Sequence, residues 1–250
     1  LIPSEHTRGQ WDSWPDNTKL KKFDVVLTNP PFGEDRAYRV KTDGDRKIIE
    51  MYETWHLTRQ RAGEEDSFGA KHERGKKVSA STKGSDALDL GIVFLENAYR
   101  CLKDDGRFGI VISNSIASIN KWTRVREWLM ERVRIVALFD LPANVFAETC
   151  VNTSILIAYK PKPASLKRLN ESGYSIFVRD IHRVGYERRT SKRNVFFNPI
   201  YQIDETTFDI SVNEHGEPVL DEEFTDTLVE FRQWSLAQEK TLQDLFLKES

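Results

Sequence analysis

The chain is 250 residues long, 39% hydrophobic and 30% charged, with a formal net charge of −2. That hydrophobic fraction, with 11% aromatics, supports a packed core and excludes wholesale disorder or a fibrous repeat, while the length suits one large α/β domain, alone or with a smaller appendage. Asp204 to Ser250 holds 13 acidic against 3 basic residues, a balance of −10 that leaves +8 for residues 1–203, so a polyanion is expected to meet only the earlier part.

The sequence opens at Leu1 rather than methionine, which leaves open a fragment, a processed chain or an incomplete one. Glu5, His6 and Arg8 interrupt any leader-like stretch, and no apolar run approaches the ~18 residues of a membrane span, so no membrane association is expected. Phe23 to Thr28 is a short apolar strand stopped by Asn29-Pro30-Pro31-Phe32-Gly33, because neither proline can donate to a ladder. Residues 46–58 place Ile48, Ile49, Tyr52 and Trp55 at helical spacing. Arg59 to Ser85 is polar and rich in Gly, Lys and Ser, with 7 basic and 4 acidic residues between Arg59 and Lys83, and reads as a long mobile loop. Asp86 to Lys103 is predicted helical, capped by Ser85 or Asp86 and ended by Asp104-Asp105-Gly106.

Arg107–Ile112 then reads as a strand, Trp122–Val133 as a helix, and Ile135–Leu141 and Thr153–Tyr159 as strands. The alternation points to a mostly parallel sheet with crossover helices. Pro142 to Asn152 is too short for a crossover helix, so the last two strands are expected to pair antiparallel. After Lys160-Pro-Lys-Pro163 the pattern weakens: a strand at Ser175–Arg179, a basic segment from Arg179 to Arg193, a turn at Asn213–Gly216 and an acidic helix at Asp221–Leu236. Cys101 and Cys150 are isolated, which fits a reducing, cytoplasmic setting and no metal site.

Asn29-Pro30-Pro31-Phe32 carries the chemistry. The prolines lack N–H groups, and a residue before proline is steered to extended conformations, so the Asn29 side-chain oxygen and the Pro30 carbonyl can act as paired acceptors. An exocyclic amine has two N–H donors to match them, and Phe32 offers its ring a stacking surface. Two such hydrogen bonds favour a tetrahedral nitrogen with a localised lone pair, able to attack an electrophilic methyl group. The pair stabilises charge developing on nitrogen, so neither His, Cys nor a metal is needed.

Phe23-Asp-Val-Val-Leu-Thr-Asn-Pro-Pro-Phe-Gly33 resembles motif IV of the amino-group DNA methyltransferases, specifically the adenine-N6 enzymes of type I restriction-modification systems, in their modification subunits. The resemblance continues through Leu88–Asn97, Leu102–Ile112, Leu141–Phe146 and Asn152–Ile157, and Val184-Gly-Tyr-Glu-Arg188 looks like a segment that follows the methylase core. It implies a Rossmann-like class I methyltransferase α/β fold, here the later half of the sheet, ending in an antiparallel strand pair, with a smaller C-terminal appendage. Residues 1–160 would form the catalytic core and 161–250 an extension with a basic segment and an acidic helix. The implied substrate is double-stranded DNA with an adenine flipped between Phe32 and Phe146. The implied partners are specificity and restriction subunits, and the implied methyl donor is S-adenosyl-L-methionine. In that family a glycine-rich turn before motif IV binds the donor; Gly9 is the only glycine before Phe23, so the main cofactor motif is absent and the chain alone is expected to be inactive. Two other readings stay open: an RNA or protein amide/amine N-methyltransferase, and a non-catalytic DNA-binding or assembly subunit that retains the fold.

Overall fold

The computed structural model describes residues 21–31, 37–58, 87–143, 145–146, 151–191 and 194–248. Its centre is a five-stranded sheet of β1 (Phe23–Thr28), β4 (Leu102–Ser113), β6 (Thr153–Tyr159), β5 (Arg134–Leu141) and β7 (Phe177–Asp180), in that spatial order. β1 pairs parallel with β4 and β7 with β5, while β6 runs antiparallel to both its neighbours. The antiparallel strand therefore sits inside the sheet, between β4 and β5, and β7 extends the sheet beyond it. The short Pro142–Asn152 connection forces this pairing, as its length predicts.

Two small elements, β2 (Ala37–Arg39) and β3 (Ala87–Asp89), pair antiparallel beside the sheet. The helix expected over 46–58 is broken into α1 (Asp43–Ile49) and α2 (Glu53–Leu57). Thr42 and Asp45 form a reciprocal capping box at α1, and Tyr52 takes an extended conformation that restarts the chain at α2. The next helix is shorter than the periodicity predicts: α3 spans Leu90–Arg100, capped by Asp89 rather than Ser85 or Asp86. Asp104-Asp105-Gly106 does not end it but forms an irregularity inside β4, where the register with β1 jumps from Phe23–Leu102 to Val25–Arg107. Asp105 takes φ +59 there, and a Cβ at Gly106 would meet the Lys103 carbonyl at 2.9 Å.

After β4 come α4 (Asn114–Ser118), a single 3₁₀ turn (Asn120–Trp122) and α5 (Thr123–Met130). Beyond β6, α6 (Pro163–Ser172) starts on a proline that needs no N–H partner at that position. Alternate residues of β6 serve the two faces of the sheet. Leu156 and Ala158 enter a core with Ile92 and Leu95 of α3 and Val125 and Leu129 of α5. Tyr159 and Ile157 face a second cluster with Val136, Phe231 of α7 (Phe224–Ser235) and Leu242 of α8 (Lys240–Phe246). Each fully buried Leu, Ile, Val or Phe among them contributes about 1.5–3 kcal/mol. The acidic C-terminal helix thus supplies the helical layer on one face.

Arg134, fully buried, ties that layer down. It reaches Glu239 at 2.8 Å and lies over the Tyr174 and Trp234 rings, while the Tyr159 hydroxyl donates to the same Glu239 carboxylate at 2.8 Å. Among the described residues no helix is long and apolar enough to cross a membrane.

Candidate active site at the carboxyl edge of the sheet

In sheets of this kind ligands gather beyond the carboxyl ends of the parallel strands. β1 ends there at Thr28, in register with Ile110, and Asn29-Pro30-Pro31 follows directly. Asn29 is exposed, Pro30 buried and Pro31 half-buried, so the turn is anchored at its first proline while the amide faces out. Phe32 lies outside the described residues. Phe146 is half-buried, five residues past the end of β5. β4 and β6 stand between β1 and β5, which at ~4.8 Å per strand separates the two strands by about 14 Å. Any approach of Phe146 to the Asn29 turn is therefore made by the loops beyond the strands.

Along the same edge lies a polar cluster that the sequence reading assigned no role. The Ser113 side chain caps α4 by accepting from the Ser115 amide at 3.3 Å. The fully buried Ser154 hydroxyl meets Asn114 Oδ1 at 2.6 Å and Asp140 Oδ1 at a shorter distance. A hydroxyl has one proton and both neighbours are acceptor oxygens, so it donates to one of them or shares its proton between the two. The Asn114 amide donates to the Asn152 carbonyl at 3.0 Å, closing the start of β6 onto the end of β4. Next to Ser154, the buried Thr153 hydroxyl has no hydrogen-bond partner among the described residues. The only sequence signal for this cluster is that polar residues stand at or next to the strand ends on this edge: Ser113, Asp140 and Thr153-Ser154. The partners come from three segments that only the sheet brings together.

A cavity of about 280 Å³ opens beside the Phe146 turn, lined by Pro142, Val145, His182, Arg183, Tyr186 and Arg188 among others. The Tyr186 hydroxyl donates to the Val145 carbonyl at 2.9 Å, and its ring meets Phe197 edge-on at 5.1 Å. Burial pushes the Tyr186 phenol up, so it stays a donor at neutral pH. Tyr186 begins a hairpin of β8 (Tyr186–Ser191) and β9 (Asn194–Pro199).

The basic segment 179–193 does not stand free of the acidic tail. Arg179 pairs with Glu230 at 3.4 Å, and Arg183 pairs with Asp221 at 3.5 Å and Glu223 at 3.2 Å. The His182 amide donates to Glu223 at 2.8 Å and holds that carboxyl below its usual range. The other basic segment, 59–83, lies outside the described residues.

A protein of Methanocaldococcus jannaschii named as a type II restriction enzyme and methyltransferase is 21% identical over 147 residues, 59% of this chain and 9% of its own length. Among solved structures, the M protein of the type I restriction enzyme EcoKI is 19% identical over 60% of this chain and 23% of its own, with a TM-score of 0.35. The type I restriction-modification methyltransferase subunit of Streptococcus thermophilus is 18% identical over 62% of this chain and 32% of its own, with a TM-score of 0.35. The chain thus spans well under half the length of each. The sequence pattern of the N-6 DNA methylases matches residues 7–214, most of the chain, and the chain belongs to that family.

Proposed function

We propose that this chain is the target-amine half of a DNA adenine-N6 methyltransferase that works within a restriction-modification system, alongside specificity and restriction subunits. The observation that carries the reading is the Asn29-Pro30-Pro31 turn at the carboxyl end of β1, in a chain of the N-6 DNA methylase family. Asn29 Oδ1 and the Pro30 carbonyl accept the two hydrogens of the adenine amine. They hold the charge that develops on nitrogen, and the buried Pro30 keeps both acceptors fixed before the base arrives. Phe32 and Phe146 take the two faces of a flipped base. Residues 1–160 carry this chemistry and 161–250 brace it.

S-adenosylmethionine supplies the electrophilic methyl group when bound. Gly91, on α3, and Gly109, on β4, offer it no cradle. A Cβ at Gly91 would meet Ile116 Cδ1 at 2.8 Å, and one at Gly109 would meet Leu27 Cδ2 at 3.0 Å, so these glycines serve close packing. In this reading the cofactor's main motif lies outside the described residues, and the chain alone does not turn over.

The test is Asn29→Ala in the full-length protein, with transfer of label from the methyl donor measured on DNA, RNA and protein. Transfer to DNA adenine should fall about a hundred-fold or more, as for loss of a transition-state hydrogen bond, with DNA affinity kept. Near-normal turnover, or label on RNA or protein instead, would overturn the reading.

A further inference from the structure

Residues 200–222 form a small arm in which three extended segments bond in a ring. The Gln202 amide donates to the Val219 carbonyl, Ser211 to Gln202, and Val219 to Ser211, each at 2.9 Å. Cross-segment pairs Ile203–Ile210 and Val212–Pro218 complete it. At its tip the turn 204–209 is held by its own hydrogen bonds: Asp204 Oδ1 accepts from the Thr206 and Thr207 amides at 2.8 and 2.9 Å, and the Phe208 amide donates to the Asp204 carbonyl at 2.8 Å.

Phe208 sits in this turn with φ +62, a left-handed conformation costly for any aromatic residue, and is 80% exposed. Ile203, Ile210 and Val212 beside it are each about half exposed. Folding thus spends strain to present an apolar side chain to water, and no packing among the described residues gains from it. The arm's own charge has one sign: Asp204 to Glu230 holds ten acidic residues and no Lys or Arg. While Arg183 and Arg179 pair with Asp221, Glu223 and Glu230 at its base, Asp204, Glu205 and Asp209 lie at the tip. Asp204 in particular stays ionised, because the Thr207 and Thr206 amides hold its carboxyl below the usual range. Such a surface repels phosphate. A pre-formed aromatic knob with an acidic rim has the character of an interface anchor.

We infer that the 200–222 arm is a protein-docking site. Phe208 enters an apolar socket on a partner protein, and Lys or Arg around that socket face Asp204, Glu205 and Asp209. The inference does not rest on the methyltransferase reading and holds for any activity of this family.

The test places p-benzoylphenylalanine at position 208 of the full-length protein in its native host, with Phe196, exposed on β9, as the control position. After irradiation, the cross-link from 208 should map to an apolar segment flanked by Lys or Arg on one partner protein. Its yield should drop at least ten-fold when Glu205→Lys and Asp209→Lys are added. Separately, Phe208→Gly suits the positive φ and should leave the thermal midpoint unchanged or raised while that partner is lost on purification. No cross-link above the control overturns the inference, as does one to nucleic acid or to a second copy, a yield indifferent to the charge reversals, or a Phe208→Gly protein that retains the partner.

Discussion

Glu96 should be among the most costly side chains to remove. Its carboxylate is fully buried and accepts from the Glu53 amide at 3.0 Å, the Thr54 amide at 2.9 Å and the Thr54 hydroxyl at 2.7 Å. Arg100 Nε reaches the same carboxylate from one turn on, at 2.8 Å. Arg100 is itself only 4% exposed, and its contacts to the Glu53 carboxylate and the Met51 carbonyl are longer, at 3.4 Å each. Glu96→Ala therefore removes the closest charged contact of a buried guanidinium and the acceptor of the buried Thr54 hydroxyl, and breaking one side of a buried pair costs about 3–5 kcal/mol. That is a large share of the ~5–15 kcal/mol that holds a typical domain together. Glu96→Gln keeps an acceptor and should cost less. A Glu96→Leu, Arg100→Leu double variant should recover much of the loss, since apolar replacements of both partners are often neutral. Urea unfolding followed by tryptophan fluorescence measures all three, with Trp55 and Trp128 buried close by. A loss below about 1 kcal/mol in Glu96→Ala, or a double variant no better than the single, would refute the reasoning.

Leu27, 79% exposed on the edge strand β1, should tolerate Lys with a stability change within about 0.5 kcal/mol and less concentration-dependent self-association by sedimentation velocity, because charge blunts an open edge; a marked loss of stability would show that the side chain is packed. The Tyr38 phenol is pushed up to about 12 by burial and by its hydrogen bond to Asp45. Its raised value favours the fold below the ordinary 10, and that contribution is lost as pH rises through about 12. Ultraviolet titration should place the transition there, and Asp45→Asn should lower it; an unmoved transition would remove Asp45 from the cause. Tyr186→Phe should cost about 0.5–1.5 kcal/mol, the net worth of one hydrogen bond to the Val145 carbonyl, and should raise hydrogen exchange at residues 143–146; unchanged exchange would show that the hydroxyl does not brace that turn.

The strands that sequence locates best, Phe23–Thr28 and Thr153–Tyr159, are bounded by residues that cannot extend them or have no reason to: Asn29-Pro30 on one side, Asn152 and Lys160-Pro161 on the other. Helix periodicity over 46–58 is real, yet Glu96 binds the Glu53 and Thr54 amides and so supplies a new helix start inside the run. No local pattern contains that partner, 43 residues away. The proline-rich stretch before α6 hides a helix because Pro163 stands at its first turn, the one helical position that suits it. The proposed acceptor turn at Asn29 can be named from sequence because its residues are contiguous. The Ser154–Asn114–Asp140 cluster is not, since its members meet only through the pairing of β6 with both β4 and β5.

The reversed β6 also bears on how such a protein can change. Chain leaves β5 at the carboxyl edge and enters β6 at that same edge, so both ends of the 142–152 connection lie on the side of the Asn29 turn. A crossover connection must keep enough length to span a face of the sheet. This one only joins neighbouring strand ends, and lengthening such a loop two-fold costs only about 0.6 kcal/mol. Residues can be inserted, deleted or exchanged there without shifting a single ladder bond. The rim of the site can thus be remodelled for a new target while the frame that holds the acceptors is inherited unchanged.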